Sequence, residues 1–221
     1  MGKPAQVAVV LSGCGVFDGA EIHESVLTLL ALDRLGAAYQ CFAPDVTQAH
    51  VINHLTHEEA EGESRNVLVE AARIARGKIR PLADFRSDDF DALAFPGGFG
   101  AAKNLSTFAF EGPNCTVNHD VERAVKDMVA AKKPIAALCI TPAVMARLLD
   151  GVEVTIGSDP GTAEAINAMG GKHSATTHEE VVIDHRYKMV TAPCYMLDAT
   201  VSQIADGAMN AMRAMLELIG E

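Results

Sequence analysis

The sequence lacks the features that would place its 221 residues in several protein classes. It has no basic N-terminal region leading into an apolar stretch. It also has no uninterrupted apolar segment near the roughly 20 residues that span a bilayer. We therefore expect a soluble, cytoplasmic protein with no membrane partner. No Lys/Arg run or basic stripe offsets the formal net charge of -11 and pI of about 5.1. Such a chain repels a phosphate backbone, which argues against nucleic acid as a partner. Paired cysteine spacing is missing too. Cys14, Cys41, Cys115, Cys139 and Cys194 are odd in number and scattered, in a chain large enough not to need disulfide staples, so they read as thiols. No linker, repeat or low-complexity segment interrupts the chain. With 49% hydrophobic residues it can bury a full core, and residues 1–221 are expected to form one domain.

What is present is an alternation of short apolar strands and amphipathic helices. Gln6 to Leu11 is a β-branched apolar run closed by Ser12-Gly-Cys-Gly15, as suits a buried parallel strand ending in a glycine turn. From Glu21 to Leu35 the apolar residues recur at helical spacing, with Gly36 as C-cap. Tyr39 to Phe42 reads as a second strand. A polar stretch from Asp45 to Gly62 precedes a helix around Asn66 to Ala75. Asp91 to Phe95 reads as a third strand, stopped by Pro96-Gly-Gly98. After an insertion from Phe99 to Thr116 come a helix near Asp120 to Ala131, a fourth strand at Pro134 to Leu138 and a helix from Thr141 to Leu149. A hairpin, Val181 to Asp184 with Met189 to Thr191, and a helix from Val201 to Leu218 close the chain. This order predicts an α/β fold with a mostly parallel sheet and helices on both faces.

The sharpest local feature is Ala137-Leu-Cys-Ile-Thr-Pro142, which sets Cys139 between a buried strand and a helix that Pro142 starts well. That turn lifts the thiol to the carboxyl edge of the sheet, where open α/β folds bind ligands. The helix N-terminus there favours thiolate over thiol. Pro96-Gly-Gly-Phe-Gly100 follows the neighbouring strand, and its glycines let the backbone approach a bound carbonyl. An N–H from Gly97 or Gly98, with that of Ile140, makes a candidate oxyanion hole. Glu21 and Glu24 lie one helical turn apart at the entrance to the first helix, and either carboxylate can overhang the same edge. Lys103 and Asn104 follow the glycine turn closely enough to be candidates for binding a substrate oxygen. His50, His54, His57 and Glu58 have spacings that would cluster on a helix, but no further ligand pattern accompanies them and no metal is expected.

Taken together, Leu11-Ser-Gly-Cys-Gly15, Gly19-Ala-Glu-Ile-His-Glu24, Val51-Ile-Asn-His-Leu-Thr56, Pro96-Gly-Gly-Phe-Gly-Ala-Ala-Lys-Asn104 and Leu138-Cys-Ile-Thr-Pro142 resemble the ElbB family, nearly end to end. That family belongs to the class I glutamine amidotransferase-like superfamily, alongside PfpI and glutathione-independent glyoxalases. The resemblance implies a flavodoxin-like three-layer α/β/α sandwich and a homodimer. It implies Cys139 as nucleophile, Glu24 as the acid that hydrogen-bonds it, and Gly98 with Ile140 as oxyanion-binding amides. The implied activity is a weak, cofactor-free conversion of small α-oxoaldehydes, glyoxal to glycolate or methylglyoxal to lactate. One departure matters. Many superfamily members carry a histidine soon after the nucleophile helix, whereas Glu153-Val-Thr-Ile-Gly-Ser-Asp159 has none, which leaves a Cys-His-acid arrangement incomplete. The alternative from another class is a non-catalytic redox or regulatory protein in which Cys139 is oxidised.

Overall fold

A strand covered on both faces needs apolar residues at its buried positions, and β1 (Gln6–Val10) meets that demand from Val7 to Val10. Val7 and Val9 enter one layer of the core, Ala8 and Val10 the other. The computed structural model describes residues 3–221. After β1 come α1 (Ile22–Arg34), β2 (Ala38–Ala43), α2 (Val67–Ile74), β3 (Ile79–Pro81) and β4 (Ala92–Phe95). Two short helices, α3 (Phe99–Lys103) and α4 (Phe108–Glu111), precede α5 (His119–Ala130), β5 (Ile135–Leu138) and α6 (Thr141–Leu148). The remainder is β6 (Glu153–Val154), α7 (Pro160–Ala168), β7 (Lys172–His173), β8 (Val182–Asp184), β9 (Met189–Ala192) and α8 (Val201–Glu217).

The main sheet has seven strands in the order β3-β2-β1-β4-β5-β9-β8, parallel except for the β8–β9 pair. Helices α1, α2 and α8 pack on one face, burying Leu32, Val67, Ala71 and a stripe on α8 that includes Ile204, Ala208, Met212 and Met215. Helices α5 and α6 pack on the other, with Val121, Val125 and Met145 against Phe42, Phe85 and Phe95. This is the flavodoxin-like three-layer sandwich. Strand order reverses between β1 and β4, so the connections leaving them diverge to opposite faces and open a crevice at their carboxyl ends.

The structure corrects the element list in three places. Ile79–Pro81 is an extra edge strand, so the strand expected third is the fourth; its proline is tolerated because an edge strand has a side that needs no donor. The insertion after the glycine turn is helical in part, as α3 and α4. The stretch after α6 folds as a two-stranded parallel sheet, β6 with β7, bridged by α7. Residues 45–62 form no helix, so His50, His54 and His57 are not on a common helical face.

Candidate active site

The turn from β5 into α6 turns so sharply that Cys139 adopts φ 61°, in the left-handed region that non-glycine residues rarely occupy. Such a conformation costs about 1–3 kcal/mol and persists only where surrounding contacts fix it. The Cys139 N–H donates to the Ala192 carbonyl at 2.9 Å, extending the β5–β9 ladder. Next to it, the Thr141 hydroxyl donates to the Pro96 carbonyl at 3.1 Å and ties the elbow to the glycine turn. Cys139 is left 7% exposed, with its sulfur receiving backbone N–H groups from Gly98 and Ile140.

Glu24 reaches this sulfur from the third position of α1. Glu21 caps that helix, its carboxylate accepting the Glu24 N–H at 2.6 Å, and this fixes the first turn so that Glu24 points inward. Glu24 is wholly buried. One carboxylate oxygen accepts the Gly97 N–H at 3.0 Å, the other the Tyr195 N–H at 3.1 Å, and Cys139 hydrogen-bonds it as well. Gly97 is required by space: a Cβ there would stand 2.3 Å from the Cys139 Cβ and 2.7 Å from a Glu24 oxygen. Gly98 has φ 97°, and a Cβ on it would meet the Glu21 nitrogen at 2.3 Å. The two adjacent glycines thus have different tasks: Gly97 holds the carboxylate and Gly98 faces the sulfur.

The electrostatics reverse one expectation. Burial raises the Cys139 thiol well above its ordinary pKa, Glu24 adds to this, and the Gly98 and Ile140 amides offset only part of it. Burial likewise raises Glu24, to about 7, against the lowering effect of its backbone donors. Above about pH 7 the resting pair is therefore a thiol donating to a carboxylate, and below it the carboxyl is neutral. The helix N-terminus does not produce a free thiolate here, because desolvation of the sulfur outweighs it.

Above the sulfur opens a cavity of about 410 Å³. Val16, Phe99, Ile140 and Met196 form apolar walls, and Tyr195, Thr162, Glu21 and Asp159 supply polar groups. Among the described residues no histidine lines it. His23 Nδ1 lies 2.9 Å from the Tyr195 hydroxyl, outside the lining, while His119 is exposed at the start of α5 and pairs with Asp120. Sequence reasoning missed Tyr195 and Asp159. The Asp159-Pro160 pair was a legible helix start, since Asp159 accepts the Thr162 N–H at 2.8 Å and proline stands at the first helical position. Tyr195, by contrast, stands 171 residues from the carboxylate its N–H holds, and no local pattern points to it.

Lys103 and Asn104 are not brought to the cavity. The Lys103 ammonium donates to the Phe17 carbonyl at 2.9 Å and lies over the far side of Phe99, in a separate recess with Ile52 and His57. Asn104 is buried and spends its amide on the chain: Nδ2 donates to the Ser12 and Asp18 carbonyls, both at 2.9 Å, and Oδ1 accepts the Ala49 N–H. The short helix α3 turns both away from the sulfur. His54 and His57 pack on Phe17, and among the described residues no group of three His, Cys, Asp or Glu is placed to hold a metal.

The site is thus a cysteine on a strand-to-helix turn at the edge of a flavodoxin-like sheet, hydrogen-bonded to a glutamate from the first helix. Residues 15–195 match the model of the DJ-1/PfpI family, and the chain belongs to that family. It is 51% identical over 226 residues to the human "Glutamine amidotransferase-like class 1 domain-containing protein 3, mitochondrial", covering 98% of this chain and 84% of that protein. It is 35% identical to the zebrafish "ES1 protein, mitochondrial", covering 96% and 85%. Among solved structures it superposes on an isoprenoid biosynthesis protein with amidotransferase-like domain from Ehrlichia chaffeensis with TM-score 0.90 and 37% identity, over 97% of this chain and 99% of that one. Glyoxalase III from Candida albicans shares the fold, with TM-score 0.64 and 14% identity over 97% of each chain. The mitochondrial designation of the human, rat and zebrafish relatives overturns the cytoplasmic expectation. That expectation came from testing only for secretory and bilayer-spanning segments, which do not bear on other compartments.

Proposed function

We propose that the protein is a glutathione-independent glyoxalase-like enzyme of the ElbB type, acting on small α-oxoaldehydes through Cys139. The observation that carries this reading is the buried Cys139–Glu24 pair, bracketed by the Gly98 and Ile140 N–H groups and opening into a cavity without histidine. Likeness to the Ehrlichia protein supports the ElbB-type assignment. Glyoxalase III adds only that this fold accommodates such chemistry.

In this mechanism Glu24 accepts the Cys139 proton as the sulfur adds to the aldehyde carbon, then returns it to the alkoxide, giving a hemithioacetal. The two backbone N–H groups stabilise the transient oxyanion. Glu24 next removes the hydrogen from that carbon and delivers it to the neighbouring carbon through an enediol, which leaves a thioester. Water cleaves the thioester, releasing glycolate or lactate and restoring the thiol. Without a histidine to protonate an amine leaving group, amide hydrolysis lacks its acid. The test is consumption of glyoxal and methylglyoxal by the wild type, Cys139→Ser and Glu24→Gln, with the hydroxy acids quantified. Turnover that both variants lose supports the mechanism; no turnover by wild type abandons it.

A second reading draws support from the same two N–H groups, which can also hold an oxidised sulfur. In that reading Cys139 takes up oxygen from a peroxide and the protein reports the change to a partner. Peroxide-dependent mass gain at Cys139 without aldehyde turnover would favour it. We further propose a homodimer; the exposed apolar stripe Ile22, Val26 and Leu30 along α1 supports it.

A further inference from the structure

The cavity above Cys139 has carboxylates at two depths and no cation. Glu21 stands in its inner wall, 8% exposed, and Asp159 at its rim. Neither forms an ion pair among the described residues, and no lysine, arginine or histidine lines the space. Each carboxylate is fixed in place by capping a helix: Glu21 accepts the Glu24 N–H and Asp159 the Thr162 N–H. The rest of the lining is apolar or neutral, through Val16, Phe99, Ile140, Met196, Thr162 and Tyr195. Glu21, set in a low-dielectric wall, keeps its field, and the exposed Asp159 adds a more screened negative charge at the mouth, so the cavity repels anions before contact.

We infer that Glu21 and Asp159 are specificity-determining residues that make the cavity admit uncharged and cationic electrophiles to Cys139 and reject anionic ones. The inference deepens the enzyme reading and rests on Cys139 reacting with a small molecule in this cavity. The cavity volume, about 410 Å³, lies in the range of sites for molecules larger than a two-carbon dialdehyde. The substrate class is accordingly an oxoaldehyde with an apolar or amine-bearing substituent. Oxo acids, phosphorylated carbonyl compounds and the anionic hemithioacetals formed with glutathione fall outside it.

A test independent of turnover uses three thiol reagents of similar size, the 2-aminoethyl, 2-hydroxyethyl and 2-sulfonatoethyl methanethiosulfonates. Each reacts alike: Cys139 passes its proton to Glu24, a sulfur–sulfur bond forms, and methanesulfinate leaves. Rates at Cys139 are read by peptide mass spectrometry on the full chain at pH 8. Each rate is divided by that of a free thiol, and Cys14, outside the cavity, is followed in the same sample. We expect the sulfonate to lag the hydroxyethyl reagent by about tenfold at low salt and the ammonium reagent to lead it by about threefold, both ratios shrinking at high salt. Glu21→Gln and Asp159→Asn keep a cap acceptor and should each bring the sulfonate within about threefold of the neutral reagent, with the Cys14 ratios unmoved. Ratios cancel any common change in Cys139 reactivity. Equal normalised rates, ratios that neither variant alters, or failure of all three reagents to reach Cys139 would each overturn the inference. Charge selectivity without glyoxal turnover would remove only the glyoxalase reading; glyoxal turnover without selectivity would remove only this one.

Discussion

Two recesses meet at Phe99, one above Cys139 and the other beside Lys103, Phe17 and His57. Both lie near the carboxyl edge of the sheet, and both hold residues that sequence reasoning put forward for function. They differ in where the polar groups are directed. In the Lys103 recess the ammonium serves a backbone carbonyl, and behind it Asn104 serves three more backbone groups. In the Cys139 cavity the Gly98 and Ile140 N–H groups point at a sulfur that faces open volume. A candidate site is better recognised by donors left available toward a space than by reactive residue types near a glycine turn.

The largest expected effect sharpens this contrast. Cys139→Ser should lower glyoxal turnover by at least about 10³-fold, because the hydroxyl cannot be activated by a carboxylate as a thiol can, whereas Cys14→Ser should change it less than about twofold. Steady-state kinetics on both variants checks this. Glu24→Gln should cost about 10²- to 10³-fold in kcat/KM, the range of a lost general base.

The pH dependence gives a smaller and more diagnostic effect. Since Glu24 must be ionised to accept the thiol proton, kcat/KM and Cys139 alkylation should rise about tenfold per pH unit below the Glu24 pKa of about 7 and level off above it. A plateau extending down to pH 5 would contradict the assignment of the base. The same shift has a stability consequence of the opposite sign. A carboxyl raised from 4.5 to about 7 binds its proton more tightly when folded. Its contribution is fully present below about pH 4.5 and lost as pH rises through about 7. The Tm of wild type relative to Glu24→Gln should therefore fall between pH 5 and pH 8.

The other recess should answer in stability and not in chemistry. Asn104→Ala strands two buried carbonyls and an N–H, at a cost of roughly 3 kcal/mol, and should lower Tm by about 6–12 °C with kcat per folded molecule within about threefold of wild type. Lys103→Ala should move activity by less than about twofold. A large loss of kcat in either variant would erase the distinction between the recesses.

Much of the fold was legible because the central strands are short, mostly apolar runs, and those that carry the site are followed by a glycine turn or a helix start. The main-sheet strand that escaped notice, Ile79–Pro81, has three residues, one of them charged and one a proline, and carries no such run; the missed β6 and β7 have two residues each. In the site, the glycine turn, Cys139 and Glu24 were legible as strand-end and helix-start residues. The sign of the Cys139 shift was not, since a helix N-terminus can be inferred from spacing but the depth of burial cannot. Lys103 and Asn104 misled for a related reason: nearness in sequence to Gly98 gives no direction, and α3 carries Lys103 into the recess beside Phe17 and buries Asn104 against the Ser12 and Asp18 carbonyls.

The short turn at Cys194–Met196 belongs at once to the cavity wall and to the base. Its Tyr195 side chain bounds the space in which a substrate would sit, while its N–H holds one oxygen of Glu24. Steric fit and acidity are therefore coupled through a single residue. A guest bulky enough to displace that turn also withdraws a donor from the carboxylate, raising its proton affinity and moving the acid limb of the rate profile to higher pH. The acid limb measured across a graded series of aldehydes would then act as a ruler for how far each one spreads the site.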